Sequence, residues 1–179
     1  MPRRLKHFVT RHEAASGDLV SHLKSGLGGA VGIGAVGALA VTTHQPFLIA
    51  PFGASAVLLF GHPASPLAQP VNVVGGYFVA TIVTLLLLML FPGAWVAAAI
   101  GVGLAIALMS MLRITHPPAG AIPILAATST IQGGTLLGVV IGGSIGLVGV
   151  ASLHHWLPPR FEYPKRPPNA EAAKETGGR

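Results

Sequence analysis

Between Lys24 and Arg160 the chain carries one charged side chain, Arg113. Soluble domains hold roughly 25% charged residues, whereas this chain of 179 residues holds 9%, nearly all of it in the two ends. A stretch so poor in charge cannot cover a water-facing surface. Residues 25–157 are therefore expected to form a single membrane domain solvated by lipid. Residues 1–24 make a polar N-terminal flank, in which Leu5, Phe8, Val9 and His12 have helical spacing and suit a surface helix or a mobile tail. Residues 158–179 make a tail rich in proline and charge, expected to be disordered. Both flanks are net basic, which places both termini on the cytoplasmic side. The basic residues form no patch among aromatics, so nucleic acid is not expected as a partner. The chain has no cysteine, which excludes disulfides, thiolate metal sites and a cysteine nucleophile. No cleavable apolar core follows the basic start, so a secretory signal peptide is not expected.

Proline, glycine and polar residues divide the apolar block. Residues 25–43, 72–91, 95–112 and 134–154 are long enough to span, and residues 47–61 and 113–130 are short and broken. The fold class expected is an all-α polytopic membrane protein with four long transmembrane helices and two short Pro/Gly-broken segments. The order long, broken, long repeats as long, broken, long, which suggests an inverted three-segment repeat with halves 25–91 and 95–157. Pro51-Phe-Gly53-Ala54-x-x-x-Leu58 aligns with Pro118-Ala-Gly120-Ala121-x-x-x-Leu125. If both broken segments cross, there are six crossings and Arg113 is cytoplasmic; if both re-enter, there are four and Arg113 lies outside.

Irregular backbone at membrane depth survives only where protein or a wet cavity surrounds it, so the breaks point to a site. Proline suits the first turn of a helix and disfavours helix in the residue before it. Pro46 to Ala50 is thus read as extended with a helix from Pro51, and Ile114 to Pro117 as extended with a helix from near Pro118. Five extended residues and eleven helical ones each reach about 16 Å, enough together to cross a core of about 30 Å. In an inverted repeat the two helix N-termini face each other near the midplane, where their free N–H groups attract anions. Pro51, Gly53, Ala54 and Ser55 from the first break, and His116, Pro117, Pro118, Gly120 and Ala121 from the second, are the candidate substrate-binding residues. Kinked helices that merely pack are the alternative.

Arg113 is either an anion's counter-charge or a snorkelling topology anchor. His116 is a donor to a ligand, a proton relay, or a histidine bonded to a nearby carbonyl. His44 and the pair His154-His155 sit at span ends and are expected at the interface. No Asp or Glu lies between Asp18 and Glu162, which argues for an anionic or neutral solute. Catalytic residues, metal and cofactor are not expected, and the chain is not read as an enzyme. Small residues recur every fourth position at Gly26, Ala30, Gly34 and Ala38, at Ala97, Gly101 and Ala105, and at Gly134, Gly138, Gly142 and Gly146. Such stripes let helices approach closely in lipid and suit a compact bundle and a homo-oligomer.

The stretches Pro51-Phe-Gly-Ala-Ser-Ala-Val-Leu-Leu-Phe, Ser65-Pro-Leu-Ala-Gln-Pro, Asn72-Val-Val-Gly-Gly and Thr115-His116-Pro117-Pro118-Ala-Gly-Ala resemble the HPP family of integral membrane proteins, named for its His-Pro-Pro tripeptide. The resemblance covers residues 20 to 157. It implies four transmembrane helices, adds Asn72 to the candidate site, and makes nitrite the first solute to test, because plastid and cyanobacterial members are linked to nitrite transport. Many members are bacterial, so the bacterial inner membrane is the expected location. Val71 and Tyr77 stand where the family pattern often has Arg and His. The expected function is membrane transport of a small inorganic anion through a midplane site; a membrane-embedded interaction or regulatory subunit is the alternative.

Overall fold

The computed structural model describes residues 18–92, 95–131 and 133–166, and their regular structure is entirely helical. The possible surface helix at Leu5 to His12 lies outside the described residues. Helix α1 (Leu19–Thr43) starts at Asp18, whose carboxylate accepts the Ser21 N–H at 3.0 Å, and ends at His44 in the left-handed region, φ 54°. Helix α2 (Ala50–Ala56) continues into one π turn, Val57–Gly61. A loop with a 3-10 turn, Pro66–Ala68, leads into α3 (Pro70–Leu90), and α4 (Trp95–Met111) follows. A second 3-10 turn, Pro117–Ala121, runs into α5 (Ile122–Thr128), and α6 (Gly133–Trp156) closes the bundle.

Among the described residues three helices, α1, α3 and α6, are long and apolar enough to cross a membrane. Helix α4 has 17 residues, about 26 Å of rise, slightly short of a full hydrocarbon core. Large apolar side chains on several helices face outward, among them Leu27, Met89, Ile106 and Leu153, all more than half exposed. Water would penalise such a surface and lipid does not. Trp95 and Trp156 are also exposed at helix ends, as suits an aromatic belt.

Helix α3 is central and packs against α4, α5, α6 and both 3-10 turns. Its buried threonine hydroxyls are satisfied within the helix: Thr81 donates to the Tyr77 carbonyl and Thr84 to the Ala80 carbonyl, each at 2.7 Å. That is the cheapest arrangement for a hydroxyl in lipid-solvated protein.

The glycine stripes divide by function. Ala97, Gly101 and Ala105 on α4 are buried, and a Cβ at Gly101 would lie 2.8 Å from Pro123. The expected stripe on α1 faces outward instead, with open space beside Gly26 and Gly34. Its packing face is offset by two residues, at Gly28, Gly32 and Val36. A Cβ at Gly28 or Gly32 would meet the Phe60 ring at 2.6 Å, so these two glycines make room for that ring. On α6 likewise Gly134, Gly138 and Gly146 face open space, while Gly143 takes the Phe52 ring. Phe52 on α2 and Phe60 in the π turn thus select which glycines of α1 and α6 are used, and period alone does not identify them.

The tail departs from the expected disorder over its first nine residues. Residues 158–166 are described, and Phe161 and Tyr163 fold back onto His155, with ring centroids at 5.9 and 5.3 Å. The Tyr163 hydroxyl donates to the Ala68 carbonyl at 2.9 Å, and Lys165 N–H donates to Gln69 Oε1 at 2.8 Å. Burial pushes the Tyr163 phenol above its ordinary range, which keeps it a neutral donor. Lys24 on α1 donates to the Leu157 carbonyl at 2.6 Å and to the Pro159 carbonyl, and its ammonium lies 5.0 Å from the centre of the Phe161 ring. His155 is buried beneath this strap, its Nε2–H donating to the Leu59 carbonyl in the π turn at 2.8 Å. Tyr163→Phe keeps the ring and deletes its bond, an expected loss of about 1 kcal/mol. Limited trypsin digestion checks it: cleavage after Arg160 and Lys165 should accelerate.

Candidate functional site

The two breaks form much as proline chemistry dictates. Ile49 is extended and α2 begins at Ala50 with Pro51 in its first turn. His116 is extended, φ −132° and ψ 100°, because Pro117 disfavours helix in the residue before it. The turn starts at Pro117, one residue earlier than expected, and takes 3-10 geometry before α5. Helix α2 packs directly on this second turn, so the two broken segments meet.

Their contact is polar. Ser55 lies on the inner face of α2 and His116 enters from the second break, and both are fully buried. Ser55 Oγ and His116 Nε2 are 2.7 Å apart. On its other side Ser55 Oγ is 2.7 Å from the hydroxyl of Tyr77, which projects from α3 and is also fully buried. His116 Nδ1 is 2.8 Å from the Leu67 carbonyl in the first 3-10 turn. A carbonyl only accepts, so Nδ1 carries the proton and, in the neutral ring, Nε2 accepts from Ser55. Ser55 has then spent its single proton and accepts from Tyr77. The chain therefore runs in one direction: Tyr77 to Ser55 to His116 to the Leu67 carbonyl. Edge-on ring contacts hold its ends, Tyr77 with Phe52 at 5.5 Å and with His116 at 5.1 Å.

Backbone proximity makes this possible. A Cβ at Gly76 would lie 2.7 Å from His116 Cβ and 3.1 Å from the Ile114 carbonyl, so only glycine lets the His116 strand lie against α3. Asn72, half-buried one turn earlier, donates to the Thr115 carbonyl at 3.1 Å and pins the same strand. Pro51 and Pro118 are buried nearby, while Gly120 and Ala121 are half-buried. Gly53, Ala54 and Pro117 are exposed. Gly53 borders an open apolar depression of about 260 Å³ with Ile33, Leu48, Ile49, Ala50 and Phe52. Arg113 is exposed, with φ 58°, where the chain turns out of α4. The structure thus joins Ser55, His116 and Asn72 to the α3 surface and leaves Arg113, Gly53 and Ala54 outside that cluster. Tyr77 is the member that site prediction omitted. Among the described residues no three His, Asp or Glu side chains converge in a way that would hold a metal ion.

An all-helical bundle with lipid-facing walls and Pro-broken segments meeting inside it defines an integral membrane protein. The family model for the HPP transmembrane region matches residues 14–164, most of the chain and nearly the whole strap. The chain belongs to the HPP family. Two Dictyostelium discoideum proteins, each named only as a transmembrane protein, are similar to it. One is 42% identical over 90 residues, covering 48% of this chain and 29% of the relative. The other is 37% identical over 97 residues, covering 52% and 34%. The matched part of this chain thus spans about a third of the length of these curated relatives. Both are eukaryotic. No solved structure matches.

Proposed function

We propose that this protein moves a small inorganic anion across the membrane, with nitrite the first candidate, at the contact between its two broken segments. The observation that carries this reading is the Ser55–His116 hydrogen bond. It joins the two breaks in a fully buried position, within a stretch of chain that has no Asp or Glu. Discontinuous helices that meet within the membrane are how many transporters build a substrate site. Carboxylates suit cations, and their absence favours an anion. The matching order of the two breaks supports the inverted repeat with both segments crossing. The outward small-residue faces of α1 and α6 support close contact with a second copy. The basic ends favour a cytoplasmic location for both termini.

The test is nitrite uptake into liposomes holding purified protein. Protein-dependent uptake is expected, and His116→Ala should lower it at least tenfold while the variant still elutes as a folded species. Arg113, exposed at a turn, acts in this reading as a topology anchor, so Arg113→Ala should change the rate less than about twofold. If folded protein takes up no nitrite, nitrate or formate, the transport reading fails.

A further inference from the structure

The hydrogen-bond chain has a property that the site's composition alone does not reveal. In its neutral form every proton is committed: Nδ1–H to Leu67, the Ser55 proton to Nε2, the Tyr77 proton to Ser55. An anion arriving at Tyr77 would find lone pairs and no free donor. Adding one proton at the Tyr77 end reverses this. Tyr77 passes its original proton to Ser55, Ser55 passes its own to Nε2, and the N–H bond formed at His116 leaves the imidazole cationic. Ser55 now donates to Tyr77, and the proton newly held by Tyr77 points away from the chain, free to bond a ligand. One proton has entered, and no other bond is gained or lost. The same event creates a positive charge and a donor.

A buried imidazolium is costly without a counter-charge, and this site provides none. Helices α2, α4 and α5, which pack against the His116 turn, carry no titratable side chain, and α3 contributes only Tyr77. The turn Pro66–Ala68 has none either, and His62 before it is exposed. Arg113 is exposed and of the wrong sign, and no Asp or Glu occurs between Asp18 and Glu162. The charge must therefore come from the ligand. We propose that one monovalent anion and one proton occupy the site together, the proton on His116 Nε2 and the anion against the Tyr77 hydroxyl, so that each transport cycle moves no net charge. This inference rests on the transport reading and adds its coupling. It also sets a substrate class: a divalent anion would leave one charge unbalanced, so sulfate should be excluded.

The experiment measures initial nitrite uptake in proteoliposomes, with the leak of nitrous acid through protein-free vesicles subtracted. Potential is set by potassium and valinomycin, and internal pH is read with a trapped dye. Co-transport predicts uptake that changes less than about twofold between 0 and about 100 mV of either sign, although such a potential is worth about 2.3 kcal/mol per uncompensated charge. It predicts acceleration when the outside is made acidic, with one proton entering per nitrite. Tyr77→Phe, which keeps the ring and removes the entry hydroxyl, should cut the acid-stimulated rate at least tenfold. Uptake that follows potential, is indifferent to pH and brings no proton would overturn co-transport and leave anion transport standing. No protein-dependent uptake at all would overturn both.

Discussion

Ser55→Ala is expected to be less stable than the parent by about 2–4 kcal/mol and to lose nitrite uptake. Ser55 is the middle of the buried chain, so its removal orphans two groups at once, the Tyr77 hydroxyl and His116 Nε2. A buried polar group deprived of its partner costs about 1–3 kcal/mol. The space vacated by one oxygen is too small to admit a water that could serve both. Removing Tyr77's need should recover part of the loss. Ser55→Ala with Tyr77→Phe leaves only Nε2 unpaired, so the double variant should be more stable than additivity of the single losses allows. Thermal unfolding in detergent, followed by circular dichroism, measures all four members of this cycle. A Ser55→Ala protein as stable as the parent would show that the chain is not formed.

Gly76→Val is expected to do more damage to the fold, at least about 3 kcal/mol, at the severe end of overpacking. A Cβ alone would sit 2.7 Å from His116 Cβ, 3.1 Å from the Ile114 carbonyl and 3.2 Å from Met109 Sδ. Only the sulfur end of Met109 is free to swing aside; the other two atoms belong to the strand whose placement makes the site. Gly76→Ala separates two opposing effects. Alanine favours a helix interior over glycine by about 1 kcal/mol, and the clash costs about 1–3 kcal/mol, so a net loss is expected. Gly34→Ala and Gly138→Ala, with open space around the added carbon, should instead hold or gain stability. If Gly76→Ala gains stability as Gly34→Ala does, the close approach of the His116 strand to α3 is wrong.

Proline and glycine made the two breaks legible, because their backbone rules are local. Ser55 and His116 are therefore legible from sequence without any contact. Tyr77 escaped because it sits inside an ordinary helix with no punctuation beside it; its only mark was the departure from the family pattern at that position. A further signal was available. The chain has only two tyrosines, and a phenol buried in a lipid-solvated bundle needs a partner. Both are buried and hydrogen-bonded, Tyr77 to Ser55 and Tyr163 to Ala68. The strap was illegible for the opposite reason. Proline and charge read as disorder, while its order depends on α1 and the 62–69 loop, both distant in sequence, together with the fold back over His155 at the end of α6. Helix boundaries near the breaks shifted by one residue, since first-turn prolines tolerate either position.

The clasp of Lys24 on the carbonyls of Leu157 and Pro159 bears on how larger relatives can be assembled. It brings the start of the first helix and the end of the last to one rim of the bundle, so the backbone leaves the membrane through a single doorway at both ends. Domains joined before α1 and after the strap would emerge side by side in one compartment and could touch each other. A reporter attached at either end would give the same sidedness, and any extension long enough to pull on the strap would be mechanically linked, through Tyr163, Ala68 and Leu67, to the buried His116.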